Sequence, residues 1–196
     1  MATVIANMSM SLDGFVAHPS SGVERLFGWY FNGDVAVPTA VPQFTFQMSE
    51  ASAGLLRDAT AGVGALVSGR RTFDDAKGWG GKHPMGAPVF VVTHTVPDGW
   101  PQDDPNIIFV TDGVESAVEK AKAVAGEKIV AVASADITQQ CLNAGLLDEV
   151  HVDLVPVFLG EGTRFFDNLD GIIELEDPLT VAGTGVTHLR YRLKGR

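Results

Sequence analysis

The chain has 196 residues, 45% of them hydrophobic, and a formal net charge of −10. That apolar fraction suffices for one sizeable core, and the length fits a single domain over residues 1 to 196. The acidic balance leaves no basic stripe for a phosphodiester backbone, so nucleic acid is not an expected partner.

The amino terminus, MATVIANMSM, has no basic n-region and no apolar run long enough for a signal or membrane segment. The expectation is a soluble, cytoplasmic protein with no membrane partner. Residues 2 to 8 read as a buried strand. Residues 18 to 43 mix Gly, Pro and aromatics without a clear period and read as an irregular excursion. Phe44, Met48, Leu55, Leu56 and Ala59 stand at near-helical spacing, which predicts a helix over 44 to 61. GVGALVSG (62 to 69) reads as a strand, and RRTFDDAK (70 to 77) as a helix start that stops before Gly78.

PVFVVTH (88 to 94) and NIIFV (106 to 110) are β-branched and aromatic runs, hence strands. The next helix has the clearest signature. Asp112 and Glu115 stand at capping-box spacing, Val114, Ala117, Val118 and Ala121 form an apolar stripe, and Gly126 stops it. KIVAVA (128 to 133) is a strand followed by a helix to Asn143. That helix holds the lone cysteine, Cys141, which has no partner for an internal disulfide and reads as a small buried residue. EVHVDLVPVFL, GIIELEDPLTVAG and VTHLRYRLKG alternate as strands, the last two as an antiparallel closing pair. Strands alternating with helices through the first two-thirds predict a three-layer α/β fold with antiparallel strands at the carboxyl end.

Ser68-Gly69-Arg70-Arg71-Thr72 places glycine, two arginines and a threonine where a strand enters a helix. Free N–H groups and the helix dipole favour a phosphate there, and an arginine fork can grip it. A capped surface helix with solvated arginines is the plainer reading. Thr93-His94-Thr95 ends the next strand, where hydroxyls and an imidazole suit a second phosphate or a ribose, or form an ordinary turn. At Ala133-Ser134-Ala135 a strand turns into a helix with no glycine, and side chains there carry a penalty if a positive φ is needed.

Among the acids, Asp13 stands in a common Asp-Gly turn and Asp34 in the irregular segment. Asp153 interrupts an apolar strand. A buried carboxylate is costly unless partnered, which makes it the better functional candidate. His151 and Asp153 as a metal pair lack further ligands nearby, and no metal site is expected.

These residues, in this order, resemble the dihydrofolate reductase-like superfamily. The nearest branch is typified by the reductase domain of the riboflavin-biosynthesis deaminase-reductase. The blocks that carry the resemblance are VIANMSMSLDGFVA (4 to 17), LVSGRRTFDD (66 to 75), PVFVVTH (88 to 94) and residues 128 to 166, ending LLDEVHVDLVPVFLGEGTRFF.

The resemblance implies an eight-stranded, mostly parallel sheet, NADPH as cofactor and a homodimer. By position, Gly69, Arg70, Arg71 and Thr72 would hold cofactor phosphates, and Ala133, Ser134 and Ala135 would lie beside the pyrophosphate, where the family usually has a glycine pair. Thr93 and His94 would lie near the 2′-phosphate. Ala17 and the Ser11 to Gly14 loop, with Ser11 and Asp13, would line the nicotinamide and substrate. Leu159, Gly160, Glu161 and Gly162 would flank the nicotinamide end, and Asp153 would orient or protonate substrate.

The implied activity is hydride transfer from NADPH to a C=N or C=O carbon of a small heterocyclic or sugar-derived substrate, with the hydride chemistry belonging to the cofactor. Folate reduction is disfavoured, because Asp34 and Glu50 are poor fits for the acid that anchors a pterin. Riboflavin-pathway reduction is also not favoured, because no clear basic group for a ribose phosphate stands out beyond Lys77 and Lys82. Two rivals stay open: a non-catalytic small-molecule-binding protein on the same scaffold with impaired cofactor binding, and a reductase using a flavin or deazaflavin.

Overall fold

Strand β1 (Val4–Ser11) sends alternate side chains to opposite faces of the sheet. In the computed structural model, which describes residues 2–101 and 104–195, Val4 and Ala6 are buried in one apolar cluster and Ile5 in another. After β1 come β2 (Phe15–Ala17), α1 (Glu24–Phe27) and a 3-10 turn at Gly28–Phe31. β3 (Val35–Pro38) and β4 (Thr45–Met48) form a separate antiparallel hairpin. α2 (Glu50–Gly62), β5 (Val63–Gly69), α3 (Arg70–Asp75), β6 (Val89–Val92) and β7 (Ile107–Val110) follow. The remainder is α4 (Val114–Ala125), β8 (Ile129–Val132), α5 (Ala135–Asn143), β9 (Glu149–Val155), β10 (Thr163–Arg164), β11 (Leu179–Gly183) and β12 (Val186–Arg192).

Eight strands form the central sheet in the order β11-β12-β9-β1-β8-β5-β6-β7. Every pair from β9 to β7 is parallel, and β12 runs antiparallel to both β9 and β11. Parallel strands buried on both faces read as continuous apolar runs, as IVAV does in β8. α4 and α5 cover one face, packing Val118, Ala121, Ile137 and Cys141 against Ala6, Val67 and Val130. On the other face Phe73 of α3 packs on Leu66 and Val91, while Leu26, Trp29 and Ala53 pack against Val155 and Val186. This is the expected three-layer α/β arrangement with an antiparallel carboxyl-terminal pair.

Several local expectations are corrected. The helix predicted from residue 44 begins at Glu50, and Thr45–Met48 is strand β4. Phe44 and Met48 are four apart, a spacing that shares one face of a strand as well as of a helix. Ser49 ends the ambiguity by accepting the Ser52 N–H as N-cap at 3.3 Å. The segment 18 to 43 is more ordered than its composition suggests, because Leu26 and Trp29 are buried by contacts distant in sequence.

The capping box at Asp112 does not form. Gly113 is the N-cap, and the Asp112 carboxylate takes hydrogen bonds from Ser116 Oγ (2.8 Å) and Lys120 Nζ (3.1 Å). Burying Val114 and Val118 contributes ~3 kcal/mol or more, against ~1 kcal/mol for a missing cap, so the helix forms regardless. β9 stops at Val155 before Pro156, and of the run 171 to 183 only Leu179–Gly183 is strand.

Candidate active site

The carboxyl ends of β8, β5 and β6 lie side by side, and α5 and α3 begin there. Val67 pairs with Val132, Gly69 pairs with Val92, and the Ala133 N–H donates to the Val67 carbonyl at 3.0 Å. Gly69 to Thr72, Thr93 with His94, and Ala133 to Ala135 therefore share one edge although they are far apart in sequence. Open α/β sheets bind ligands at this edge, where first-turn N–H groups lack partners. Two clefts of about 430 and 410 Å³, lined by residues such as Val63, Gly64 and Lys128 or Ala2, Asp148 and Glu149, lie elsewhere, at the amino ends of strands. Among the described residues, no such convergence of helix starts occurs at those ends.

Ser134 has φ −166° and ψ 137°, and no residue from 133 to 135 has a positive φ. Ser134 is ordinary extended backbone and Ala135 opens α5, so no positive φ is needed and the penalty tied to one does not arise. Space for the hydroxyl comes from the neighbouring strand end. A Cβ at Gly69 would lie 2.8 Å from Ser134 Oγ and 3.3 Å from Ile137 Cγ1. Gly69 itself has φ −88° and ψ 159°, so crowding rather than dihedral angle selects glycine there. Ser134 is buried, and its side chain makes no cap hydrogen bond to α5.

The two arginines differ. Arg70 donates from Nε to both Asp74 oxygens (2.8 and 2.9 Å) and from Nη1 to the Thr95 carbonyl (3.0 Å), so it is tied to two neighbours. Arg71 is 76% exposed and stands 3.8 Å from Asp75, which leaves it the more available cation. Thr93 is buried and donates to the Thr95 carbonyl at 2.9 Å, while His94 is exposed.

A second group of expected residues meets around Asp13. Its carboxylate accepts from Ser11 Oγ at 2.6 Å and from the N–H groups of Leu159 (3.1 Å) and Gly160 (2.7 Å). The Ser11 hydroxyl, followed by those two amides, holds the Asp13 carboxyl at a pKa of about 2, below its usual 3.8. Ala17 pairs with Thr163, and Gly162 (φ +141°) passes so close to the Ala17 carbonyl that any side chain there would collide with it. Gln139 of α5 donates to the carbonyls of Arg164 and Phe165, both at 3.1 Å, tying this group to the helix that starts at Ala135.

Asp153 lies beneath Trp29 and is 3% exposed. Its Oδ1 accepts from His188 Nδ1 (2.7 Å) and Arg190 Nη1 (2.9 Å), and its Oδ2 from Asn7 Nδ2 (3.0 Å). Burial pushes the carboxyl upward, but the His188 hydrogen bond, the Arg190 charge and Asn7 outweigh it and hold the group below the usual range. A carboxylate in that state accepts hydrogen bonds rather than delivering a proton.

The chain continues outward: Ser49 Oγ donates to Ser52 Oγ (3.0 Å), and Ser52 Oγ lies 2.9 Å from His188 Nε2. With Ser52 donating to Nε2, the imidazole proton sits on Nδ1 and points at Asp153, a tautomer assigned from the network. Tyr30 stacks on Trp29 at 3.8 Å, and burial followed by the Asp153 charge raises its phenol.

Sequence reasoning missed Asn7, Ser52, His188, Arg190 and Tyr30. Two of them left a trace. His151-Val152-Asp153 and His188-Leu189-Arg190 both read polar-apolar-polar, the mark of a polar face on neighbouring strands.

The sheet order and the layering of helices define a dihydrofolate reductase-like fold. The chain matches the RibD C-terminal domain family over residues 2–184 and belongs to that family. An uncharacterized protein of Bacillus subtilis (strain 168), YyaP, is 31% identical over 93 residues, which are 47% of this chain and 50% of YyaP. The chain thus spans about half the length of that relative in the match.

Among solved structures, a provisionally assigned riboflavin biosynthesis protein from Shewanella sp. PV-4 superimposes with a TM-score of 0.70 at 24% identity, covering 99% of each chain. Enterococcus faecalis dihydrofolate reductase complexed with NADP(H) and RAB-propyl gives a TM-score of 0.60 at 14% identity, covering 98% of this chain and 96% of that one. At these identities both likenesses speak for the fold.

Proposed function

We propose that the protein is an NADPH-dependent reductase acting on a C=N or C=O group of a small heterocyclic or sugar-derived molecule. Family membership supports a reductase-type protein. The observation that carries the cofactor assignment is the fit between Gly69 and Ser134: one glycine leaves room for a serine hydroxyl between two helix starts, without backbone strain. That arrangement suits phosphate oxygens, which would take the first-turn N–H groups of α5 and α3, the Ser134 hydroxyl and the Arg71 charge.

Asp136, exposed in the first turn of α5, opposes an anion and is partly offset by its hydrogen bond from Gln140 at 2.7 Å. Thr93 and His94 would stand near the 2′-phosphate. In this reading the Asp13 clamp sets the Leu159 to Gly162 loop against Ala17 at the nicotinamide end. NADPH would supply the hydride. The chain would bind and orient the two partners, with Asp153 acting on substrate through the donors it holds.

No helix among the described residues is long and apolar enough to cross a membrane; a cytoplasmic homodimer completes the reading. Titrating the purified protein with NADPH and NADH, following tryptophan fluorescence, tests it. Saturable quenching by micromolar NADPH is expected. Absence of binding by either nucleotide would sink the proposal and favour a non-catalytic or flavin-using protein.

A further inference from the structure

The face of the sheet beneath Trp29 and Tyr30 holds more polar groups than a core requires. Cross-strand pairing sets Arg190 beside His151, His188 beside Asp153, and Asn7 beside His151. Ala6 pairs with Val132, so Asn7 and its row stand level with Ala133, at the carboxyl ends where the candidate site lies. Replacing a buried ion pair with apolar side chains is often neutral or stabilising. Packing alone therefore gives no reason for this cluster.

Within it, Asp153 is largely engaged, accepting from His188 and Arg190 at Oδ1 and from Asn7 at Oδ2. Arg190 is less so. Its Nη1 donates to Asp153 (2.9 Å) and to the Leu189 carbonyl (3.3 Å), while Nε and Nη2 have no partner among the described residues. Its side chain is 17% exposed. His151 alongside is engaged with Glu149 at 2.8 Å, and Arg192 with the other oxygen of Glu149 at 3.3 Å. Arg190 is thus the half-buried cation of the row with unused donors.

We propose that Arg190 is a substrate-anchoring residue and that the substrate it selects carries a planar carboxylate. A guanidinium fixed through one nitrogen presents the remaining N–H groups as a flat fork, the geometry that matches a carboxylate. Three donors disperse the Asp153 charge, so the open side of the guanidinium still attracts an anion. The proposal deepens the reductase reading by naming what the substrate displays, and it rests on that reading only for the word substrate.

The test uses benzoate and its neutral isostere benzamide, titrated by calorimetry into the full chain with and without NADPH. Benzoate is expected to bind at least ~10-fold more tightly, the smallest factor a charge-assisted hydrogen bond supplies. Arg190→Gln is expected to abolish that preference, and Arg190→Lys, which keeps the charge and loses the fork, to retain part of it. Asp153→Asn, which removes a negative charge beside the guanidinium and keeps an acceptor for it, should raise the benzoate-to-benzamide ratio.

Arg71→Gln should weaken NADPH and leave the ratio unchanged. Equal affinities in the wild type, no saturable benzoate binding, a preference that survives Arg190→Gln, or one lost in Arg71→Gln would each overturn the proposal. A benzoate preference without NADPH binding would uphold Arg190 and sink the reductase reading. NADPH binding without the preference would do the reverse.

Discussion

Gly69→Ala tests the contact between the two strand ends. The backbone at Gly69 (φ −88°, ψ 159°) accepts alanine without strain, so any effect comes from the added methyl. That methyl would stand 2.8 Å from Ser134 Oγ and 3.3 Å from Ile137 Cγ1. The hydroxyl must rotate away, at ~0.5–1.5 kcal/mol if it leaves its rotamer well, and Ile137 must shift by a few tenths of an ångström. The variant is therefore expected to fold, with stability lowered by ~1 kcal/mol. Cofactor affinity should suffer more, because a hydrogen bond to a charged group contributes ~1.5–3 kcal/mol, or roughly 10- to 150-fold.

Ser134→Gly separates the causes. Since Ser134 needs no positive φ, glycine gains nothing in the backbone, and NADPH should bind at least ~10-fold more weakly. In the double variant Gly69→Ala/Ser134→Gly, stability should recover while affinity stays low. The assay is NADPH titration by fluorescence beside urea unfolding of all four proteins. Tighter NADPH binding in Ser134→Gly, or unchanged affinity in Gly69→Ala, would refute the reasoning.

Two further outcomes follow from titrating groups. Asp13→Asn keeps one acceptor oxygen and loses the charge, so hydrogen exchange at Leu159 and Gly160 should quicken. The folded-state pKa of Asp13 is depressed to about 2 from 3.8, so its contribution is complete above the upper value and is lost as pH falls through the lower. The wild type should therefore lose its stability lead over the variant within that window.

Burial holds His83 neutral, with its pKa lowered from 6.5 to about 4, and its Nδ1 accepts the Met85 N–H at 3.2 Å. Its contribution is full above 6.5 and declines as pH falls toward 4. At 1.36 kcal/mol per unit the ceiling on that loss is ~3 kcal/mol. Urea unfolding at neutral and acidic pH should show that loss in the wild type and not in His83→Gln.

The sheet strands were legible because they are buried on both faces and read as unbroken apolar runs, as in IVAV and VFVV. The α4 stripe was legible for the matching reason, with Val114, Ala117, Val118 and Ala121 all buried. Residues 44 to 48 misled because a four-residue spacing fits both periods; pairing with Val35–Pro38 and the Ser49 N-cap make the choice. The partners of Asp153 were hidden by distance along the chain, His188 being 35 residues away and Asn7 146. The oddity of Asp153 in an apolar strand could be seen; that its carboxylate is already occupied could not. At Ser134 the sequence raised the right question, and the answer lay in Gly69, on a different strand.

Hydrogen–deuterium exchange with saturating NADPH tests the central claim most directly, because it reports where the nucleotide sits as well as whether it binds. Slowed exchange is expected at residues 69–73 and 134–138, at Thr93 to Thr95 and in the Leu159 to Gly162 loop. Residues 63–64 and 124–128, around the cleft at the amino ends of the strands, should be unchanged. Protection confined to that opposite edge, or none at saturating nucleotide, would contradict a cofactor site at the Gly69–Ser134 contact.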